Sequence, residues 1–285
     1  MMPKVPVRES AMNVRVSQSH EKLHPVDPIW AQVRREAEAV AAREPVLAGF
    51  IHATILNQHS LETALIHRVS QRLDHPDVPA VLIAQAFDDL LSSEGSFSET
   101  LRSDIQAVFD RDPACERYVE PLLYFKGFHA IQTHRLAHWL WSEGRKDFAL
   151  YLQARSSAVF QTDIHPASRM GRGIFLDHAT GLVVGFTAVI GDDVSILPDV
   201  TLGGTGKEFG DRHPKIGRGV LIGAGAKILG NIEIGECSKI AAGSVVLKAV
   251  PPHTTVAGVP ARIIGTPGDC HEPARAMDQS FDRGD

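Results

Sequence analysis

An aliphatic residue recurs at every sixth position through the second half of this 285-residue chain. Glycine often follows it directly, as at Gly171, Gly191 and Gly217. A six-residue period of this kind is typical of a parallel β-helix, in which each hexapeptide makes one short strand and one corner. We therefore predict a β-helix over residues 161–265, with the aliphatic side chains stacked inside a triangular prism. The repeats form three runs: Ile164, Met170, Leu176, Leu182; Val184, Ile190, Ile196, Leu202; and Ile216, Ile222, Ile228, Ile234, Ile240, Val246.

The three runs are out of phase with one another. Leu182 and Val184 are separated by a slip of two residues, and Ile216 follows Leu202 by fourteen. A regular coil cannot absorb the second gap, so we predict that the stretch TLGGTGKEFGDRHPKIG, residues 201–217, leaves the prism as an extruded loop. Glycines suit the points where the chain leaves and rejoins the coil, because they tolerate positive φ.

The glycines of this stretch also suggest a phosphate-binding loop, but the match fails. That motif needs a glycine, four residues and then Gly-Lys followed by Ser or Thr. The chain has Thr201 where the first glycine is required and Glu208 where the hydroxyl residue is required. A nucleotide loop is therefore not predicted.

Residues 28–160 have a different pattern, with apolar residues at helical spacing. The first segment opens on Asp27-Pro28, a favourable cap and first-turn pair, and its apolar residues fall on one face. Five or six such helices are predicted, enough to bury a core. The predicted fold class is α + β, with an N-terminal α-helical domain followed by the β-helix. The predicted organisation is a disordered leader at 1–27, the helical domain at 28–160, the β-helix at 161–265 and a flexible C-terminal tail at 266–285.

Composition narrows the class of protein. The net charge of −5 argues against a nucleic-acid partner, which requires a basic face. No apolar run reaches the roughly 20 residues of a membrane helix, and the first residues have no apolar core of a secretory signal. Three widely spaced cysteines, Cys115, Cys237 and Cys270, predict a reducing cytoplasm without a disulfide framework or zinc cluster.

Three histidines on the predicted β-helix have acidic neighbours, in DIHP, LDHATG and DRHP. These are His165, His178 and His213. A histidine whose second ring nitrogen is held by a carboxylate is an effective general base, because the acid fixes its tautomer. Coils stack about every eighteen residues, so Asp163 and His178, which are fifteen apart, can approach on adjacent coils. The spacing leaves open that these are only polar corners.

Several motifs together resemble serine O-acetyltransferase, a family of the hexapeptide acyltransferases. They are LDHATG, VTLGGTGK, DRHPKIG, GAGAKILGNIEIG and VPPHTTVAGVPARIIG, and the likeness continues upstream through DIQAVFDRDPA, PLLYFKGFHA and HWLW. The resemblance covers roughly residues 28–267. It implies a left-handed β-helix and direct transfer of an acetyl group from acetyl-CoA to the hydroxyl of L-serine, with acetyl-CoA as co-substrate and no metal.

The resemblance also implies the roles of individual residues. His178 matches the general base that takes the proton of the serine hydroxyl, and Asp163 matches the carboxylate that orients it. His213 matches a second site histidine that contacts substrate and shares in proton handling. The expected ligands of serine are Asp112 and Asp177 for the ammonium group and Arg212, with His213, for the carboxylate.

The family binds CoA in a groove between adjacent prisms. Gly204, Ala224 and Ala242 match positions where the pantetheine arm lies against the backbone. Lys248 and Arg262 are candidate ligands of the CoA phosphates, although solvated surface charges explain both equally well.

Assembly and regulation are also implied by the resemblance. Flat-faced prisms suit a homotrimer, and the family pairs two trimers through the helical domains, with a catalytic site formed between chains and inhibition by L-cysteine. O-acetylserine sulfhydrylase is the family's partner through a C-terminal isoleucine. The sequence ends in Asp285, which puts that complex in doubt if this is the natural end and leaves it open if the natural chain is longer. Phe186 is a second departure, since the family often has glutamate in VVGETAV where this chain has VVGFTAV.

Three other readings are compatible with a β-helix. An acyltransferase of the same fold could act on a sugar or on homoserine, although a set of one arginine and two carboxylates favours a zwitterionic acceptor. A γ-type carbonic anhydrase would need three histidines on zinc, and the sequences around His165, His178 and His213 fit it poorly. A non-catalytic scaffold would not need to keep a base and a substrate-binding set.

Overall fold

The computed structural model describes residues 27–206, 209–267 and 272–280. All but the last residue of the predicted leader lie outside the described residues, as do residues 268–271 and 281–285 of the predicted tail. A helical region precedes a parallel β-helix, which confirms the predicted fold class. Within the described residues no single helix has the length and hydrophobicity to span a membrane, and only the sharply bent pair Pro28–Arg43 and Pro45–Leu56 meets that test jointly.

The helical region is built around one apolar core. In the first helix the Asp27 carboxylate accepts hydrogen bonds from the Ile29 and Trp30 amides, as the Asp-Pro pair predicts, and the helix buries an apolar stripe on one face. A 3-10 turn (Pro45–Leu47) and a π-helical turn (His52–Leu56) flank the second helix. The helices are α1 Pro28–Arg43, α2 Ala48–Ile51, α3 Leu61–Leu73, α4 Ala80–Ser93, α5 Phe97–Arg111, α6 Val119–Leu123, α7 Lys126–Ser142 and α8 Lys146–Phe160.

The β-helix consists of short strands that form three sheets, the sides of a prism. The five-stranded sheet contains β1 Thr162–Ile164, β4 Leu182–Val184, β7 Thr201–Gly203, β10 Lys227–Leu229 and β13 Val245–Val246. The four-stranded sheet contains β2 Arg169–Met170, β5 Val189–Ile190, β8 Lys215–Ile216 and β11 Glu233–Ile234. The six-stranded sheet contains β3 Phe175–Leu176, β6 Ser195–Ile196, β9 Leu221–Ile222, β12 Lys239–Ile240, β14 Thr255–Ala257 and β15 Arg262–Gly265. All described pairings are parallel except that of β14 with β15.

Three columns of turns form the edges of the prism. The first corner joins the six-stranded to the five-stranded sheet and includes residues 177–181, 223–226 and 241–244. The second corner joins the five-stranded to the four-stranded sheet and includes residues 185–188, 204–214 and 247–249. The third corner joins the four-stranded to the six-stranded sheet and includes residues 191–194, 217–220 and 235–238.

Both slips in the sequence period correspond to enlarged corners. Ile164 pairs with Val184, so the first coil has twenty residues, whereas Val184 pairs with Leu202 eighteen residues later. The two additional residues lie in the turn 177–181. Leu202 pairs with Ile228, and the additional length of that coil is the predicted extruded loop, residues 204–214, of which 207 and 208 lie outside the described part.

Glycines of the third corner leave no room for a side chain. A Cβ on Gly217 would lie 2.7 Å from the Glu236 amide nitrogen, and one on Gly191 would lie 2.9 Å from the Arg218 amide nitrogen. Successive coils therefore stack closely enough at this corner that only glycine fits. Gly49 in helix α2, by contrast, has no atom within 4 Å of the position of a Cβ.

A buried carboxylate fixes the helical region to the β-helix. Asp104 of α5 is fully buried and accepts hydrogen bonds from Arg135 Nε at 2.7 Å, Arg135 Nη2 at 2.9 Å and Gln132 Nε2 at 2.8 Å. The backbone amide of Ile174, at the third corner, donates a fourth bond at 3.1 Å. Since a buried charge is stable only when paired and hydrogen-bonded, these contacts define the junction between the two halves.

The three faces of the prism are covered unequally. On the six-stranded sheet, the outward residues of the first five strands are all buried, whereas those of the other two sheets are exposed or half-buried. Helix α5 and the segment 272–280, which contains the short helix α9 Pro273–Ala276, lie against this face. The buried outward residues are Phe175, Ser195, Leu221, Lys239 and Thr255.

Candidate active site

The enlarged turn of the first corner presents His178. His178 and Ala179 both have positive φ, at 48° and 56°, and the Ala179 amide donates to the Asp177 carbonyl. The turn carries the imidazole outward, so that 78% of its side chain is exposed. Its Nε2 lies 3.6 Å from Asp177 Oδ1.

Asp112 comes to this corner from the helical region. It caps the C-terminus of α5, and its Oδ1 accepts a hydrogen bond from the Ala114 amide at 2.9 Å. Burial raises the pKa of Asp177 above its ordinary value, and the nearby Asp112 carboxylate raises it further, while His178 opposes the shift. Two carboxylates with an unfavourable mutual charge therefore face the same space as His178, an arrangement suited to a cationic group.

In a single chain, the described residues show no contact between Asp163 and His178, and their pairing stays a prediction. Asp163 Oδ1 instead accepts a hydrogen bond from Gln153 Nε2 at 2.6 Å, and in the described residues no ion pair joins it to His178. Asp177 is the carboxylate that approaches the imidazole.

The second corner holds His213 in a defined orientation. Nδ1 accepts a hydrogen bond from the Thr187 amide at 3.2 Å and lies 2.9 Å from Thr187 Oγ1. The Thr187 hydroxyl accepts from the Arg212 and His213 amides, and because a backbone amide can only donate, the bond from the Thr187 amide makes Nδ1 an acceptor. The neutral imidazole therefore carries its proton on Nε2. The ring lies over Gly185, where a Cβ would come within 2.1 Å of Nε2.

Positive charge surrounds this histidine. Burial lowers the pKa of His213, and the charges of Arg212 and Lys215 lower it further. Lys215 Nζ is itself held by the Thr187 and His213 carbonyls at 3.0 and 2.7 Å and by Asp211 Oδ1 at 2.5 Å. Arg212 is half-buried, and its aliphatic stem packs on Gly204. The second corner thus combines a neutral donor with a guanidinium, which suits an anionic group.

The candidate CoA residues are divided between the corners. Ala224 and Ala242 stack at the first corner, where a Cβ on the neighbouring Gly223 would lie 2.5 Å from the Ala242 amide. Gly204 and the exposed Lys248 lie at the second corner. Arg262 is exposed on β15, where it pairs with Ala257 at the end of β14, and it donates to the carbonyl of the residue before it.

A single chain does not bring the candidate residues together. The first and second corners lie at opposite ends of the strands of the five-stranded sheet, so strands of three residues at about 3.3 Å each separate them by roughly 10 Å or more. In the described part of the chain no hydrogen bond joins Asp177 or His178 to His213. Each chain therefore carries two half-sites.

An aromatic cluster borders the second half-site. Phe186 lies with its ring centroid 4.8 Å from that of His165 and 6.2 Å from that of Trp141, in edge-on contacts. The Phe186 side chain is 43% exposed. Phe186 therefore presents an apolar surface beside His213.

Among the described residues, neither the cavities nor the metal-binding side chains indicate a different active site. A cavity of about 610 Å³ follows the third corner and contains none of the candidate residues, whereas one of about 250 Å³ lies beside Phe186 and Thr187. We place the site by its chemistry and not by cavity size, because each half-site is open in a single chain. The described residues contain no group of three His, Cys, Asp or Glu side chains arranged to hold a metal ion.

Thr187 and Gly185 were not predicted as site residues. Thr187 sets the tautomer of His213, and Gly185 makes room for its ring. Their only signal in the sequence is position, since both fall in the turn that stacks beneath the extruded loop.

Comparisons with known protein families cover both halves of the chain. A family model described as the N-terminal region of serine acetyltransferase matches residues 29–133, and one described as the bacterial transferase hexapeptide matches residues 213–248. A serine acetyltransferase of Salmonella typhimurium is 56% identical over 253 residues, which cover 89% of this chain and 92% of the relative.

Solved structures have the same fold. Serine acetyltransferase of Brucella abortus, in complex with coenzyme A, superposes with a TM-score of 0.84 at 68% identity, covering 85% of this chain and 96% of the other. A serine acetyltransferase in complex with cysteine superposes with a TM-score of 0.86 at 52% identity, covering 89% and 98% of the two chains.

Proposed function

The chain belongs to the serine acetyltransferase family, and from that membership we propose how its residues carry out the reaction. The enzyme is an acetyl-CoA-dependent O-acyltransferase. Its reaction moves an acetyl group from the sulfur of acetyl-CoA to the hydroxyl of L-serine, giving O-acetyl-L-serine and CoA. The main support for the proposal is the distribution of charged side chains. The carboxylates of Asp112 and Asp177 lie at the first corner, and the Arg212 guanidinium and the neutral His213 imidazole lie at the second.

His178 is the proposed general base. It takes the proton from the serine hydroxyl as that oxygen attacks the thioester carbonyl carbon, because a neutral hydroxyl is a poor nucleophile. The tetrahedral intermediate then expels the sulfur, and the proton on His178 passes to the CoA thiolate. The acetyl group transfers directly, so no acetyl-enzyme is formed and the imidazole returns to its neutral state.

Serine is recognised as a zwitterion. Asp112 and Asp177 bind its ammonium group, and the raised pKa of Asp177 falls when a cation separates the two carboxylates. Arg212 binds the serine carboxylate, since its planar guanidinium can grip both oxygens. His213 donates from Nε2 to the same carboxylate or to the developing oxyanion.

A complete site requires a second chain. The first corner of one chain and the second corner of its neighbour bring the two half-sites together, and a homotrimer repeats this contact three times. We also propose that two trimers pair through the helical regions, as the resemblance to the family implies. CoA occupies the groove between neighbouring chains, with its arm along Gly204, Ala224 and Ala242 and its phosphates near Lys248 or Arg262.

Asp163 is proposed to orient His178 once the site is assembled. The exposed imidazole is free to turn, and Asp163 must then exchange its bond with Gln153 for one with the histidine. L-cysteine is proposed as an inhibitor at the serine half-sites, because it carries the same ammonium and carboxylate groups and a relative was solved in complex with it.

The test replaces the base without straining its turn. Asparagine tolerates positive φ, so His178→Asn removes the imidazole while the backbone keeps its conformation. His253→Asn is the matched control, because His253 is an exposed β-helix histidine with φ of 51°. We expect thiol release from acetyl-CoA with L-serine to fall by about 10³-fold in the first variant and to remain unchanged in the second.

Two outcomes would reject the proposal. Full turnover by His178→Asn would remove His178 as the base. Turnover by the unaltered enzyme of homoserine or a sugar but not of L-serine, in an acceptor panel, would remove the substrate.

A further inference from the structure

The segment 272–280 returns to the β-helix and crosses the covered face of the six-stranded sheet. Ala274 is fully buried, and its carbonyl accepts a hydrogen bond from Ser195 Oγ at 2.7 Å. Lys239, also buried, donates to the Ser280 carbonyl at 2.6 Å. Met277 packs against the core of the helical region. The segment therefore touches both halves of the molecule.

Arg111, the last residue of helix α5, lies under this segment. It is buried, and its Nη2 donates to Asp193 Oδ1 at 3.0 Å while its Nη1 donates to Ser195 Oγ at 3.2 Å. Nε has no hydrogen-bond partner among the described residues. The orientation of the guanidinium thus depends on these two anchors.

Ser195 connects Arg111 to the segment. A serine hydroxyl has one proton, and here it is donated to the Ala274 carbonyl. This bond fixes the hydroxyl so that its lone pairs accept from Arg111. Without the Ala274 carbonyl the hydroxyl would rotate freely, and water would reach a guanidinium that is now shielded. Arg275 adds a second link, since its Nη2 lies 3.6 Å from the other oxygen of Asp193.

The same anchors set the spacing of the two substrate carboxylates. Asp112 directly follows Arg111 at the end of α5. Ser195 precedes Ile196, whose carbonyl accepts the hydrogen bond of the Asp177 amide at 3.0 Å. Arg111 therefore joins the end of the helix that carries Asp112 to the strand on which Asp177 is held.

We propose that Arg111 is a positioning residue for Asp112 and that the segment 272–280 is the strap that keeps it in place. The proposal rests on the proposed role of Asp112 and Asp177 as ligands of the serine ammonium group. When the strap is docked, the gap between the two carboxylates matches one ammonium group. When it is released, Arg111 loosens and the end of α5 moves, so serine binding weakens while the CoA groove is untouched.

The test compares the same substitution at two neighbouring alanines. Ala274→Lys places a long cation into a filled space beside Arg111 and Arg275, which expels the strap, whereas Ala276→Lys places it at an exposed position of the same short helix. In the full-length enzyme we expect Ala274→Lys to raise the KM for L-serine about tenfold, the size of one lost charge-assisted contact, with the KM for acetyl-CoA and kcat unchanged within about twofold. Ala276→Lys should leave all three constants unchanged.

Variants without added bulk give an independent measurement. Ser195→Ala and Arg111→Ala should also raise the KM for serine selectively, and Arg111→Lys should recover part of the loss, because a lysine can still pair with Asp193. The proposed role of the strap would be rejected if these variants changed the KM for acetyl-CoA or kcat as much as the KM for serine. It would also be rejected if Ser195→Ala and Arg111→Ala left the KM for serine unchanged.

Asp112→Asn separates this failure from failure of the proposed function. If Asp112→Asn raises the KM for serine and the Arg111, Ser195 and Ala274 variants do not, the strap alone is rejected. If Asp112→Asn leaves the KM for serine unchanged, the assignment of the ammonium site is rejected as well.

Discussion

The two halves of the molecule hold their serine-binding carboxylates by different means. Asp177 belongs to the β-helix and is placed by a backbone ladder that repeats in every coil. Asp112 belongs to the helical region and is placed by a few side-chain contacts between segments distant in sequence, those of Asp104 and Arg111. The stability of the β-helix should therefore depend on any added atom that disturbs the stacking of its coils. The attachment of the helical region should depend on single polar groups.

The largest effect should come from Asp104→Asn. The substitution leaves the buried Arg135 without its charged partner, and breaking such a pair costs about 3–5 kcal/mol. The midpoint of denaturant unfolding, followed by circular dichroism, should fall sharply. Asp88→Asn on the exposed side of α4 is the control and should change the midpoint little. Similar midpoints for the two variants would show that the junction does not depend on this contact.

Gly217→Ala tests the β-helix half. The new Cβ would lie 2.7 Å from a backbone nitrogen that cannot move without shifting the next coil, and we expect a loss of about 2–3 kcal/mol of unfolding free energy. Gly49→Ala is the matched change in the helical half, at an exposed position with open space, and should gain up to about 1 kcal/mol because alanine is the better helix former. If Gly217→Ala and Gly49→Ala shifted the thermal unfolding midpoint in the same direction, the proposed difference between the two halves would be contradicted.

The smallest effect on stability should come from Asp112→Asn, at the position where the two halves meet. The Asp177 carboxylate, whose pKa is raised in the folded state partly by Asp112, costs nothing at low pH, where it is protonated in both states, and lowers stability as the pH rises above its ordinary value of 3.8. Removing the Asp112 charge should therefore stabilise the protein by about 0.5 kcal/mol at pH 7 and by less at pH 4. A gain that is larger at pH 4 than at pH 7 would have the wrong sign.

The departures from the six-residue period indicated where two parts of the candidate site lie. The slip between Leu182 and Val184 marks the enlarged turn that presents His178, and the gap between Leu202 and Ile216 marks the loop that carries Arg212. A regular repeat needs additional residues only where the chain leaves the lattice, so departures from the period are physical signals of exposed, adaptable corners.

No pattern in the sequence indicated the contacts between the helical region and the β-helix. Asp104 meets the β-helix seventy residues later in the chain, and Arg111 meets Ser195 after eighty-four. These are single polar residues within amphipathic helices, and their partners depend on how the halves pack, not on local pattern. The pairing of Asp163 with His178, expected from uniform coils, stays a prediction, and the first coil is two residues longer than the regular eighteen.

The unequal cover of the prism limits how copies of the chain can meet. The six-stranded face is already covered by α5 and the strap, so the β-helices of neighbouring chains can pack side by side only through the two open faces. Objects with two contact faces each build closed rings or single files, and they cannot spread into layers. By folding residues 272–280 over one side, the chain reduces the ways in which its flat-sided β-helix can aggregate.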